Sequence, residues 1–371
     1  MADWATTILQ QIYQKTTASV QRLGPNNIPY MATADHYQTN MVETDITWWT
    51  NGFWGGLLWQ LNHYQANPEL VTAAKENEVA LDQAFLKYEG LHHDVGFMWL
   101  PTAVADYRLT DDDRAYWRGR HAADLLAGRY NLAGHYLRSW NRDRAGWVII
   151  DSMINIQLLY WASEATQDPR YKLMANEHAN TVMQHHVRAD GSVVHIVVFD
   201  PNTGAEVETL GGQGYGVGSS WSRGQAWAIN GFALAYRHTH NLAYLETAKR
   251  VAHYFLANIA ENNTIPAVDF RAPKIPLMVD TSAGAIAACG LLEIAQHVPI
   301  AEQALYQNAA QKILKQLVTQ YGDLNPAHDG VLTGATTAYH DKTGQNVNLN
   351  YGDYYLVEGL LRLLGKDLLL W

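Results

Sequence analysis

The chain has a single cysteine, Cys289, so it can form no intramolecular disulfide and no cysteine-based metal cluster. Set in AIAACGLL, it reads as a buried structural thiol. Basic patches longer than a few residues are also missing, and the formal net charge is −10. Nucleic acid, which demands clustered Lys and Arg, is thereby excluded as a partner. An acidic ligand would have to be held by a few placed cations rather than by the overall field. No run of 18 apolar residues occurs, which excludes a membrane span. The opening MADWATTILQQIYQK reads as an amphipathic helix without the order of a signal peptide, so a cytoplasmic protein is expected. No stretch rich in Pro, Ser and Gly marks a linker, and one domain over 1–371 is expected.

Aromatics are what the chain has in excess, with 13 Trp and 21 Tyr. Most belong to a core. The remainder cluster beside Gly and Asp and suit a cleft that stacks on sugar rings. They fall in a pattern: six times a polar residue is followed by small and apolar residues at helical spacing. The runs start at Trp48, His93, Ile149, Trp221, Asp280 and Tyr351, roughly every 45 to 75 residues. More polar helical stretches lie between them, with caps at Asn67-Pro68, Asp111-Asp112, Asp168-Pro169 and Asn241. Helical hairpins of this kind bury their apolar faces only against neighbours. Six pairs closing on themselves predict an all-α toroid, with the polar starts gathered at one mouth. One segment departs from it. Residues 190–218 alternate as a strand, turn at Asp200-Pro201-Asn202-Thr203-Gly204 and return, which predicts a β-hairpin serving as a lid or binding loop.

Two readings of Asp151 stand side by side. Asp is a preferred N-cap residue. Yet Ile149 and Ile150 before it and Asn155 after it would desolvate the carboxyl and raise its pKa, as general acid catalysis requires. Asp94, in GLHHDVGFM, begins another repeat, where Gly96 would let a ligand approach the backbone. Two carboxylates facing each other across a mouth are the equipment of glycoside hydrolysis. Asp280, followed by Thr281 and Ser282, reads as a cap, and Asp353 has weaker context. The doublets His92-His93 and His185-His186 lack metal-ligand spacing, so no metal is expected. His195 alternates with Val194 and Ile196 and is expected to face the mouth. Arg223 begins a helix among Trp221 and Trp227, where the dipole disfavours a cation; a bound carboxylate would offset that cost.

Together HDVGFM, IIDSMINIQLLYWA, HIVVFDPNTG, GQGY and SSWSRGQAWAINGFAL resemble the unsaturated glucuronyl hydrolases, glycoside hydrolase family 88, in order over nearly the whole chain. The resemblance implies an (α/α)6 barrel that removes a 4,5-unsaturated glucuronic acid from the non-reducing end of lyase-generated glycosaminoglycan fragments. It implies Asp151 as general acid/base and Asp94 as the second essential acid, with no metal and no cofactor. Substrate contacts would fall on Trp48, Trp49, Trp54, His195, Gln213, Arg223 and Trp227. A related family acting on unsaturated rhamnogalacturonan tends to read RGNGW where this chain has Arg223-Gly224-Gln225-Ala226-Trp227. That favours the glucuronyl branch, and both acids argue against a carbohydrate-binding toroid without chemistry. The chain departs from the pattern at two points. Tyr351 stands where many relatives have Trp. The sulfate-binding pattern Ser-x-x-Ser-x-Lys reads Thr337-Ala338-Tyr339-His340-Asp341-Lys342 here. Thr337 and Lys342 are kept on a polar loop, 337–346, expected to form a flexible rim, with Asp341 an added anion beside the lysine.

Overall fold

The computed structural model describes residues 3–33 and 35–371. Its helices alternate between an inner and an outer ring. In chain order they are α1 (Asp3–Leu23), α2 (Asn51–Tyr64), α3 (Pro68–Leu86) and α4 (Val95–Trp99 running on through Leu100–Val104 and Ala105–Thr110). Then come α5 (Asp113–Ala127), α6 (Ser152–Asn155 with Gln157–Thr166), α7 (Pro169–His185) and α8 (Ser222–Thr239). The last four are α9 (Leu242–Ile259), α10 (Thr281–His297), α11 (Ile300–Tyr321) and α12 (Asn350–Leu363). The even-numbered helices pack each on the next, and α12 returns to α2, so the inner ring is closed. Each odd-numbered helix packs outside an inner one. This is the helical toroid the repeats predict.

The two rings differ as the sequence patterns require. Outer α3 buries one stripe only: Leu70, Ala73, Ala74, Asn77, Glu78, Leu81 and Ala84. Inner α10 is buried without interruption from Thr281 to Ala295, because neighbours cover it on all sides. Small residues make such close contact possible. A Cβ on Gly96 of α4 would lie 2.5 Å from the Asn155 backbone of α6. Gly96 therefore serves helix packing and not ligand approach, a correction to the sequence reading. The outer helices carry the expected caps: Asn67, Asp112, Asp168 and Asn241 each accept from the backbone N–H two residues on, each worth about 1 kcal/mol. Cys289 is buried as expected, its thiol donating to the Tyr355 carbonyl at 3.3 Å. Among the described residues, no helix is long and apolar enough to cross a membrane.

Sheets at the ring's mouth position the loops. The predicted hairpin is present as Ile196–Phe199 and Glu206–Leu210, joined by the turn at 200–204. It gains a third antiparallel strand, Trp147–Ile149, with Ile149 opposite Ile196. The run expected to be helical from Ile149 thus starts as strand, and helix begins only at Ser152. A second sheet places His36–Tyr37, Met31–Thr33, Gln345–Leu349 and Ala335–Thr336 in that order, and the strand Ala335–Thr336 leads into Thr337.

Candidate active site

Asp94 and Asp151 occupy the residue before α4 and before α6, and neither side chain caps its helix. Asp280, in the same position before α10, does cap, accepting from Ser282 N at 3.1 Å. The two readings of Asp151 are separated by that contrast: its carboxyl is not spent on the helix. Asp353 likewise has a structural task, accepting from Val331 N and Leu332 N at 3.0 and 2.7 Å.

Both free acids line one cavity of about 430 Å³, together with Trp48, Trp49, His195 and Gln213. Asn155 holds their helices in register: its Nδ2 donates to Asp151 O at 3.2 Å and its Oδ1 accepts from Phe97 N at 2.7 Å. Burial pushes the Asp94 carboxyl up to about 8, and the charge of Asp151 adds to the shift. Burial likewise pushes Asp151 up to about 7, with the Arg223 field opposing. Neighbouring acids held this high retain a proton near neutrality. Oδ1 of Asp151 is buried without a hydrogen-bond partner, free to exchange a proton.

His195 reaches the cavity as expected, carried there by the sheet, with its carbonyl accepting from Ile150 N at 3.1 Å. Its Nε2 lies 3.7 Å from Asp151 Oδ1, and burial lowers its pKa to about 3, so the ring is neutral. Gly212 has φ +57°, and a Cβ there would meet His195 Nδ1 at 2.0 Å, so only glycine fits beside the imidazole.

Trp48, Trp49 and Gln213 also line a second cavity, of about 410 Å³, beside Tyr30, Tyr351 and Thr337. The two are lobes of one cleft divided at Gln213, whose Nε2 donates to Thr337 O at 2.7 Å. The loop along the second lobe is braced, not a flexible rim. Asp341 accepts from the Thr337 and Thr343 hydroxyls, both at 2.7 Å, and from Thr343 N at 3.0 Å. These bonds hold its carboxyl down at about 2. Asp341 is therefore the anchor of the turn, and the Thr337 hydroxyl is already engaged. Lys342 stands exposed on that turn.

Three residues expected to touch substrate do not reach the cleft. Trp54 is buried edge-on against Tyr37. Trp227 is buried between Phe97 and Tyr355. Arg223 is fully covered, and the carboxylate that offsets its place at a helix start comes from Asp280, with which its Nη1 pairs. The same guanidinium donates to Thr336 O and Thr337 O at 2.8 and 2.6 Å. Arg223 thus ties α8, α10 and the second-lobe loop together and acts on Asp151 only through its field. The sequence reading missed Trp140, Arg144 and Trp147, which line the first lobe. The signal was present as two Trp flanking two Arg in WNRDRAGW, just upstream of Asp151.

No family model matches the chain. Individual proteins do. Unsaturated glucuronyl hydrolase of Bacillus sp. (strain GL1) is 36% identical over 334 residues, spanning 87% of this chain and 88% of that protein. Unsaturated chondroitin disaccharide hydrolase of Streptococcus pyogenes serotype M1 is 33% identical over 91% of this chain and 85% of that one. The crystal structure of unsaturated glucuronyl hydrolase from Streptococcus agalactiae superposes with a TM-score of 0.93 at 30% identity, covering all of this chain and 94% of the other. With relatives this similar over nearly their full lengths, and a toroid of the same shape around two uncapped acids, the chain belongs to the unsaturated glucuronyl hydrolases.

Proposed function

We propose that the enzyme removes 4,5-unsaturated glucuronic acid from the non-reducing end of glycosaminoglycan disaccharides by hydrating the C4=C5 bond, with Asp151 as general acid and base. The observation that carries this reading is the pair of uncapped carboxyls, partly buried Asp94 and buried Asp151, pushed up to about 8 and about 7 in one cavity.

The substrate's double bond is conjugated to the ring oxygen as an enol ether, so C4 is the basic carbon. Asp151 gives its proton to C4. Water adds at C5, and its proton passes to the Asp151 carboxylate, which restores the acid. The C5 hemiketal then opens: the C5 hydroxyl gives up its proton as a ketone forms, and the bond from C5 to the ring oxygen breaks with that oxygen taking a proton. C1 is left as a hemiacetal, which collapses to an aldehyde and expels the second sugar as an alcohol. No displacement at C1 takes place, so the separation of the carboxyls does not set a stereochemical outcome as in ordinary glycosidases. Asp94 holds the ring hydroxyls and the geometry. The reacting sugar sits in the lobe with the acids, the leaving sugar in the lobe beside Thr337, and Trp48 and Trp49 line both.

The names of the relatives favour this reading over an unsaturated rhamnogalacturonyl hydrolase and over a binding toroid without chemistry. The test is the loss of ultraviolet absorbance of the conjugated double bond. Lyase-generated chondroitin, hyaluronan, heparin and pectin disaccharides are offered in parallel. Consumption of the pectin product alone, or of none, overturns the proposal.

A further inference from the structure

His93, the residue before Asp94, is fully buried, and neither of its ring nitrogens has a hydrogen-bond partner. A buried polar group left unpaired is destabilising, and folded proteins keep few of them. Its surroundings hold the imidazole neutral. Burial lowers its pKa well below the ordinary value, and Arg129, then His92, His178 and His195, act in the same direction. The acid beside it is Asp94: His93 Nε2 lies 3.3 Å from Asp94 Oδ1.

The backbone fixes the place of the ring. His93 N donates to Ser139 O at 3.2 Å, and Arg129 straps the same segment, its Nη2 donating to Ser139 O at 3.0 Å and its Nη1 to Leu91 O at 3.4 Å. The carboxyl is the freer partner. Asp94 does not cap its helix, and among the described residues no hydrogen bond from another side chain engages it. Its last torsion is soft, so a small rotation aligns the contact with Nε2 as a hydrogen bond. Of the two imidazole tautomers, the one with its hydrogen on Nε2 finds an acceptor in Oδ1. A hydrogen on Nδ1 would be a buried donor facing none.

We propose that His93 is the positioning residue of Asp94: its Nε2–H holds Oδ1 and turns Oδ2 of the same carboxyl to the cleft, an assignment that rests on the function proposed above. Asp94 lines the cavity with Asp151, and the oxygen left over is the one that meets the ring hydroxyls. Histidine suits the task because the donor is uncharged. A cation at this distance would pull the pKa of a carboxyl down by about 1–3 and drive Asp94 toward ionisation. Neutral His93 orients the acid and leaves it the proton that burial and the charge of Asp151 keep there, against the field of Arg129. It touches no substrate and acts only through Asp94.

Two substitutions separate the donor from the shape. His93→Phe keeps a ring of similar size and removes the donor, with His93→Leu in its place should the phenyl ring not fit. His93→Gln keeps an N–H at the reach of Nε2 and gives up the ring. His93→Phe should lower kcat/KM at least about tenfold, the scale of one hydrogen bond to a carboxyl. Its melting temperature should be no lower than that of the wild type, since it buries no unpaired nitrogen. His93→Gln should recover most of the rate. A readout without substrate is the carboxyl-carbon resonance of Asp94, identified by its loss in Asp94→Asn. Its midpoint should rise in His93→Phe, because a donor favours the ionised form, and return toward the wild-type value in His93→Gln. An unchanged rate and midpoint in His93→Phe overturns the assignment. An active Phe variant beside an inactive Gln variant, the pattern of packing alone, also overturns it, as does a rate loss in both with the Asp94 midpoint unmoved. If the wild type turns over no disaccharide while His93→Phe still raises the Asp94 midpoint, the function fails and the positioning stands.

Discussion

Gln213 donates its backbone N–H to Nδ1 of His195 at 3.0 Å, which leaves the neutral imidazole carrying its hydrogen on Nε2. That is the atom facing Asp151 Oδ1. The neutral ring thus stands beside the acid at 3.7 Å, its Nε2 making no hydrogen bond.

The first prediction follows from that tautomer. Nitrogen shifts of His195 should report the Nε2–H form from neutrality down to at least pH 5, since burial lowers its pKa to about 3. A titration midpoint near the ordinary histidine value of about 6.5 would contradict it.

Asp151→Asn should cut turnover by about two to four orders of magnitude, the scale for a general acid–base group. It should also make the protein more stable at neutral pH. The folded pKa of Asp151, about 7, lies above its ordinary 3.8. Between those values the folded state holds a proton that the unfolded chain has lost, so the wild type loses stability as pH rises through that window. The amide carries no such penalty. Thermal melts of the two proteins should differ by a few degrees at pH 7.5 and converge near pH 4. A wild type as stable as the variant at both pH values would count against a raised pKa.

Arg223 should behave as a strut. Arg223→Ala strands Asp280 in a buried site, and breaking such a pair costs about 3–5 kcal/mol. Arg223→Lys should recover little, because one ammonium cannot reach Asp280 and the carbonyls of Thr336 and Thr337 together. Adding Asp280→Asn to Arg223→Ala should restore part of the melting temperature. Additive losses would show that the pair is not coupled.

Lys342→Ala should change KM for sulfated disaccharides and leave non-sulfated ones unaffected, since the lysine stands on the turn of the second lobe, away from the acids. The braced Asp341 is spoken for by Thr337 and Thr343, so Asp341→Ala should disorder the turn rather than strengthen sulfate binding. Steady-state kinetics on matched substrates decide both. An equal change on the two substrates would mean that the loop does not read sulfate.

The toroid was legible in the chain because each ring has its own composition. Inner helices must be small and apolar all round; outer ones need one stripe and a cap, and Asn67, Asp112, Asp168 and Asn241 supply it. Asp94 and Asp151 were legible as acids beside apolar neighbours at helix starts. Other contacts were hidden because they depend on partners distant in sequence. Nothing near Arg223 announces that Asp280 will neutralise it, and nothing near Trp54 or Trp227 fixes which side of an inner helix meets the cleft. Val148-Ile149-Ile150 suits strand or helix equally until Ile196 arrives to pair with it. Arg144 went unread because an exposed arginine is distinctive only once two tryptophans and an acidic cavity surround it.

Asp94 and Asp151 stand at the positive, N-terminal ends of α4 and α6. That field favours ionised carboxylates, yet both acids remain protonated to unusually high pH, so dehydration is the stronger influence. The dryness of the cleft therefore keeps a proton on these acids near neutrality, where an acid of ordinary pKa would already have lost it.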